Sequence, residues 1–505
     1  TFRPMGNITR AEVVTMINRL LNRVPTGNTD GKTFSDVESH WAKAQVLAAC
    51  GKENVEWTVK DASNAFVLKG STPEEYVKGL YEQSASLNGE EICKAVDVIS
   101  EKMKQDGLNS QNGLDLSKYK TTYYISEKNG SDDNDGLSPE KPFKTLEALS
   151  KTRFLRNANI LLERGGLYRG TFVITQNLSF GAYGEGPKPI WIQSKRNYAD
   201  PSLWVETEYP NVWKCTEQLI NVGVMGFDHD MSDYSDKTYN EKYGIICNYK
   251  TNGFMGLEDM NKDLQFFSDL REVGLLSPAP LYLYSAEGNP GERINIVRGE
   301  PLNCSFDNIS FKFTGAHAIG VSNARNFRVT NCIFSWLGGS VLWFNEDGSS
   351  TCYGNAVETG ICNGYFVENC WCYQLYDTGV THQCSKGDGN REQKNIRYLG
   401  NLIEYCHWGI EFYNSPDTTT PYPNGSPFVR TTSDAHDAYN VVRNTGYGWG
   451  SVIKNRMTGS QGYCGSSLSE NFDELTEYNI FDRSAGNLLF LPSNAKETQS
   501  RNIYI

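Results

Sequence analysis

The 505-residue chain has no apolar run approaching the ~18 residues needed to cross a bilayer, so no helical membrane span is expected. It is short of positive charge: 48 Lys and Arg stand against 60 Asp and Glu, for a net charge of −12. Nucleic acids and anionic membrane surfaces are held through Lys/Arg patches, so both are disfavoured as partners. A highly acidic polymer is mildly disfavoured as substrate unless a local basic cleft overrides the net value. None of the 13 cysteines is spaced C-x-x-C, which argues against a zinc site. At this chain length a disulfide framework is not expected either. Cys332, Cys370, Cys372 and Cys406 sit in strand-like runs and are expected as free buried thiols, with one or two bridges elsewhere left open. The nucleotide-binding glycine loop, the serine-hydrolase elbow and HExxH are all missing, so no cofactor is expected. There is no signal peptide. Residue 1 falls inside a motif, so the chain reads as part of a longer precursor and the missing signal says nothing about location.

What is present is a folded composition, 39% hydrophobic, on a chain long enough for two or more domains. Aromatics are plentiful, with 10 Trp and 28 Tyr. Flat rings cover the apolar face of a pyranose, and β-rich proteins also use them in their cores, so this feature leaves sugar binding open.

Residues 1–118 read as a helical domain. Ile8 to Leu21 carries apolar residues at helical spacing, with Thr9 and Glu12 placed as a capping box. Phe34 to Ala48 repeats a loop-then-helix pattern, and Pro73 to Leu80 and Glu90 to Met103 predict two further helices. Thr1-Phe2-Arg3-Pro4, Ile8 to Glu12 and Phe34 to Ala42 resemble the S-layer homology repeat over about 50 residues. That resemblance implies a bacterial surface protein bound to a cell-wall polymer, with Arg10 and Trp41 as the positions to test. The pattern is lost after Gly51, which leaves a purely structural or chaperone-like role equally open.

From residue 119 to 505 the pattern is mainly β. Tyr123 to Leu146, Ile160 to Gly170 and Phe180 to Ile190 resemble the opening of secreted right-handed parallel β-helix proteins, a group holding polysaccharide lyases and glycoside hydrolases. Asp132, Asp133 and Asp135 suggest either a calcium loop or a turn rich in Asx, and the turn is preferred. Asn331, Asn369, Asn401, Asn444 and Asn479 are 38, 32, 43 and 35 residues apart within β-branched and aromatic runs. Such a repeat predicts a solenoid of variable coils with a stacked asparagine ladder.

Counting forward from each ladder asparagine, strict alternation turns Ser340, Thr378, Val380, Ile410 and Phe412 inward. Asp377, Glu411, Trp343, Thr381, Tyr413, Asn345 and Gln383 then face outward. Asp377 and Glu411 fall on adjacent coils two residues out of register, with Cα atoms ~8 Å apart. That spacing permits glycosidic cleavage by a carboxylate pair without choosing retention or inversion. Glu358 is a further catalytic candidate. His382, Trp408 and Asp388 join Trp343, Asn345, Gln383 and Tyr413 as candidate substrate contacts. The stretch from Gly354 to Asn414 resembles a signature of carbohydrate-active bacterial β-helix proteins, and the domain order is similar to that of lacto-N-biosidases with a helical module.

The leading expectation is an extracellular or surface-bound glycoside hydrolase without a metal, acting on an oligo- or polysaccharide and resembling the lacto-N-biosidases. A polysaccharide lyase is the second reading, weakened because the outward face lacks Lys and Arg. A non-catalytic glycan-binding adhesin is the third. The strand-like end at Ser500 to Ile505 leaves room for further domains.

Overall fold

The computed structural model describes residues 66–111, 115–152, 155–172, 177–227, 234, 256–293, 297–299, 309–384, 391–414, 430–454, 456–467, 472–491 and 497–505, with two short strands at Arg23–Val24 and Thr58–Val59. The segments resembling S-layer repeats, with Arg10, Trp41 and the Thr9–Glu12 box, lie outside the described residues. Two compact units separate: residues 1–71 with 75–99 and Ile505, and residues 72–74 with 100–504.

The two predicted helices are present as Pro73–Gln83 and Gly89–Asn109. The second opens on a reciprocal cap. Asn88 Oδ1 accepts from the Glu91 N–H at 3.0 Å, and Glu91 Oε2 accepts from the Asn88 N–H at 2.7 Å. Two orphan donors of the first turn are thereby satisfied. The same helix ends in the second unit, where buried Lys104 pairs with Glu404 at 2.8 Å and lies over the Trp371 ring.

The second unit is mainly β, and most of its strands pair in parallel. In a nine-stranded sheet spatial order follows chain order, from Leu167–Arg169 through Trp371–Leu375, Leu402–Glu404 and Val441–Thr445 to Ile503–Tyr504. Two more parallel runs branch from the long strand Val357–Glu368. Its first residues pair with Thr378–Cys384, which leads to Trp408–Asn414, Gln461–Ser467 and Asn487–Phe490. Its later residues pair with Arg391–Leu399, which leads to Arg430–Ala438, Phe472–Glu477 and Glu497–Ser500. One feature is absent from the sequence reading. Between Ile192 and Ser310 the chain forms an antiparallel four-stranded sheet of Trp204–Glu206, Val212–Ile220, Phe266–Phe267 and Pro278–Tyr284.

The turns between runs recur in register. Phe313, Trp336, Gln374, Tyr405, Asn444 and Arg483 occupy aligned positions, and all have φ between 52° and 56°. Asn331, Asn369, Gly400, Tyr439, Tyr478 and Arg501 form a second column of the same kind, with φ from 53° to 68°. This column corrects the expected ladder. Asn331 and Asn369 are left-handed turn residues one position before it, and Asn444 belongs to the other column. The ladder itself runs Asn401, Asn440, Asn479, Asn502. Each asparagine accepts through Oδ1 from the backbone N–H of the residue aligned before it, at 2.8 to 2.9 Å, beginning with Cys370 N–H onto Asn401. Cys332 and Cys370 hold the ladder position in the earlier strands. Asparagine suits both the left-handed turn and the ladder, so spacing alone confuses the two. Nine cysteines carry no disulfide, and of these Cys332, Cys370, Cys372 and Cys406 are buried. Burial pushes the Cys372 and Cys406 thiols upward.

Candidate active site

The site is built where the run through Thr378–Cys384 and Trp408–Asn414 begins. Gly379, Gly409 and Gly462 stack at aligned positions. A Cβ at Gly379 would stand 2.7 Å from Ile403 Cγ2, and one at Gly409 would stand 2.3 Å from Val442 Cγ1. These glycines therefore face the side chains of the nine-stranded sheet, where only hydrogen fits. The next residues, Val380, Ile410 and Tyr463, are also fully buried. Two consecutive inward positions shift the alternation. Thr378, expected inward, instead brings its hydroxyl to 3.4 Å from the Glu411 carboxylate.

Past this corner one lateral row reads Gly320, Glu358, Thr381, Glu411, Cys464, Phe490. Glu358 and Glu411 flank Thr381, two strand spacings or about 9.6 Å apart at their Cα atoms. The expected offset of 32 residues between the Thr381 and Glu411 strands is 30 in the structure, which sets Thr381 opposite Glu411 and Gln383 opposite Tyr413.

The two glutamates sit in contrasting surroundings. Glu411 Oε2 accepts from Gln383 Nε2 at 2.7 Å, Thr381 Oγ1 at 3.2 Å and Thr378 Oγ1 at 3.4 Å. Oε1 accepts from none of the described residues. Burial, then the Asp377 carboxylate, then that of Glu358, push the Glu411 carboxyl up to about 8, outweighing the Thr381 and Gln383 donors. The protonated form of Glu411 is thereby favoured at neutral pH, and among the described residues Oε1 is the oxygen without a donor. Glu358 Oε2 is held by Asn355 Nδ2 at 2.5 Å and by His317 Nε2 at 3.2 Å. The Asn355 orientation is fixed, because its Oδ1 accepts from the Thr378 N–H at 3.1 Å.

Asp377 sits at the corner. Its carbonyl accepts from the N–H groups of His407 and Trp408, at 3.0 and 3.1 Å. It is therefore level with His407, four residues from Glu411 where the sequence reading expects two, and the turn at Gly379 and Gly409 keeps its charge close to Glu411. Gly354 makes room for it: a Cβ there would stand 2.7 Å from Asp377 Cβ.

The remaining candidates divide. Gln383 binds Glu411, and Tyr413 lies level with Gln383, partly exposed. Trp408 is partly exposed, with Nε1 donating to the Gly459 carbonyl at 3.1 Å. His382 faces the interior at 0% exposure, its Nδ1 3.0 Å from the Tyr398 hydroxyl, and lines no open face. Trp343 and Asn345 are not in the parallel run. Val341–Phe344 forms an antiparallel hairpin with Ser350–Cys352, and Trp343 Nε1 donates to Asn345 Oδ1 at 3.0 Å. Asp388 lies outside the described residues. In the acidic loop, Asp135 accepts from the Leu137 N–H two residues on, as in an Asx turn, whereas Asp132 accepts from the N–H groups of Lys144 and Thr145, twelve and thirteen residues on. Among the described residues no three His, Cys, Asp or Glu side chains are grouped to hold a metal, and no helix is long and apolar enough to cross a membrane.

Sequence reasoning missed His317, Asn355 and Thr378. They are level with one another, His317 and Asn355 two residues ahead of their strands and Thr378 at the start of its own, since Ile319 pairs with Val357 and Val357 with Val380. The signal was available: counting back 38 residues from Asn355, the interval from Asn331 to Asn369, lands on His317.

No family model and no curated protein matches the chain. Among solved structures, it is similar to a GH136 lacto-N-biosidase from Eubacterium ramulus. The selenomethionine form matches at TM-score 0.33 and 12% identity, covering 99% of this chain and 81% of that one. The native form matches at 0.29 and 11%, covering 100% and 82%. A rhamnogalacturonan lyase matches at 0.24 and 12%, covering 71% and 68%. At such scores the likenesses carry no argument about activity.

Proposed function

We propose that the chain is a glycoside hydrolase in which Glu411 is the general acid and Glu358 the general base. The observation that carries this reading is the contrast between two carboxyl groups in one row. Glu411 is pushed up to about 8, and its open oxygen can deliver a proton to a leaving glycosidic oxygen. Both partners of Glu358 are donors, so that carboxylate accepts, as a group activating water must. Asp377 supports the acid by raising it. With Glu358 acting as base on water and not as nucleophile, the proposed outcome is inversion. Gln383, Tyr413 and Trp408 are the proposed sugar contacts. Three parallel runs with left-handed corners recurring in register support a right-handed β-helix as the scaffold, with the site on its outer face. A complex glycan outside the cell, cleaved as lacto-N-biosidases cleave theirs, is the substrate we propose.

The test is incubation with a glycan panel, reading new reducing ends and the ultraviolet absorbance of an unsaturated uronate. Reducing ends without absorbance, with the opposite anomer appearing first by NMR, are expected. Absorbance would replace the hydrolase by a lyase, and retained binding without product would make the protein an adhesin.

A further inference from the structure

We propose that His317 is a positioning residue that fixes Glu358 as a neutral imidazole donating through Nε2–H; as a catalytic role this rests on the hydrolase reading above. The tautomer follows from the partners. The Asn355 N–H donates to His317 Nδ1 at 3.2 Å, so that nitrogen is an acceptor and carries no proton. The proton of the neutral ring is then on Nε2, 3.2 Å from Glu358 Oε2. The ring cannot rotate away cheaply. It is mostly buried, and Tyr353 packs edge-on against it with centroids 4.9 Å apart.

Asn355 makes this a closed circuit. Its N–H orients His317, its Oδ1 is tied to the Thr378 N–H, and its Nδ2 donates to the same Glu358 oxygen that His317 binds. Both donors converge on Oε2, and Oε1 accepts from none of the described residues. Glu358 thus presents one oxygen outward, the arrangement seen at Glu411. A carboxylate serving as base needs this: one oxygen held in place by protein, the other free for water. The titratable groups around the circuit are Tyr353 and Tyr365, which the Glu358 charge helps to raise, and Glu411, which Glu358 and Asp377 both raise. Among the described residues, the carboxylate paired with His317 is Glu358.

The experiment uses the full chain and two readouts. In the first, 15N NMR of the histidines, with the His317 signals assigned by their loss in His317→Gln, should show the neutral Nε2–H form. That Nε2 signal should shift in Glu358→Gln. A protonated Nδ1, or no response to Glu358→Gln, overturns the inference whatever the activity. In the second, His317→Phe should lower kcat at least tenfold, leave KM within about twofold, and move the acidic limb of the pH–rate profile upward. His317→Gln, which can still donate, should recover part of kcat. An unmoved acidic limb in His317→Phe also overturns the inference. If wild type yields no product from any glycan, the hydrolase reading fails, and the NMR result alone decides whether His317 holds Glu358.

Discussion

Two groups of raised carboxyls occupy neighbouring parts of the same unit, and only one is arranged as a site. Glu411 lies on the outer face with one oxygen saturated by donors and the other open. Asp437 and Glu474 lie in the interior at 0% and 1% exposure, close enough that the Asp437 charge helps to raise Glu474, with the Tyr463 hydroxyl donating to Glu474 at 2.8 Å. Burial is the first cause of the upward shift in both places. A raised carboxyl therefore marks burial before it marks catalysis. What separates the two groups is exposure and company: Glu411 is partly exposed and shares its row with a second carboxylate, Glu358.

The sharpest way to break this comparison is to neutralise one carboxyl from each group. Glu411→Gln and Glu358→Gln should each cut turnover of a cleaved glycan by about 10²–10⁴-fold, the range of general acid–base catalysis, with the folded circular-dichroism spectrum retained. Glu474→Gln should leave turnover within about twofold. Equal losses from Glu474→Gln and Glu411→Gln would remove the distinction.

Stability against pH should separate the groups next. Asp437 and Glu474 are raised in the folded chain, and Glu497 is pushed up to about 8. Such groups keep protons in the native state that the unfolded chain has released, between the ordinary carboxylate value near 4 and about 8. More protons bound in the native state means that stability falls as pH rises through that window, and it is fully present below it. Glu411 contributes in the same sense. Buried His382, lowered to about 3, acts in the opposite sense below its ordinary value, but it is outnumbered by the four raised carboxyls, so the melting temperature should drop from pH 4 to pH 8, and Glu474→Gln should flatten the drop. A melting temperature that rises over this window would mean that the interior carboxyls are ionised.

The histidines give a smaller effect. Replacing His382 by Phe should cost about 1–3 kcal/mol in denaturant unfolding, because the Tyr398 hydroxyl loses its partner in the core. Activity per folded molecule should stay the same. Lost activity with unchanged stability would move His382 to the site.

The chain pattern made the parallel strands, the two helices and the buried thiols legible, because each rests on local periodicity. Glu411, Glu358, Asp377 and Gln383 were legible as polar residues in a strand whose neighbours are apolar. Three things were not. The ladder phase was ambiguous because Asn369 and Asn401 satisfy different backbone needs with the same residue type. The alternation failed at Gly379 and Gly409, where close approach to Ile403 and Val442 requires two inward residues in succession. His317 and Asn355 were hidden because their role is held by pairing between strands 38 residues apart, which no local window contains.

Trp343 carries the smallest prediction and the one most exposed to error in register counting. Counting from Asn331 places it in one outward row with Thr381 and Tyr413, two coils from the tyrosine. The chain instead turns back after Leu337 into the hairpin Val341–Phe344 with Ser350–Cys352, which lengthens this pass and takes Trp343 out of the parallel run. Its ring is 50% exposed, and its indole N–H is already used by Asn345 within the hairpin. Tyr413 follows Glu411 by two residues on the same strand, level with Gln383. Tyr413→Ala should therefore raise KM about tenfold, near the 1–3 kcal/mol of one lost hot-spot contact, whereas Trp343→Ala should change it by less than about twofold. The reverse order would show that the hairpin bears a sugar subsite and that the open face extends beyond the Glu358–Glu411 row.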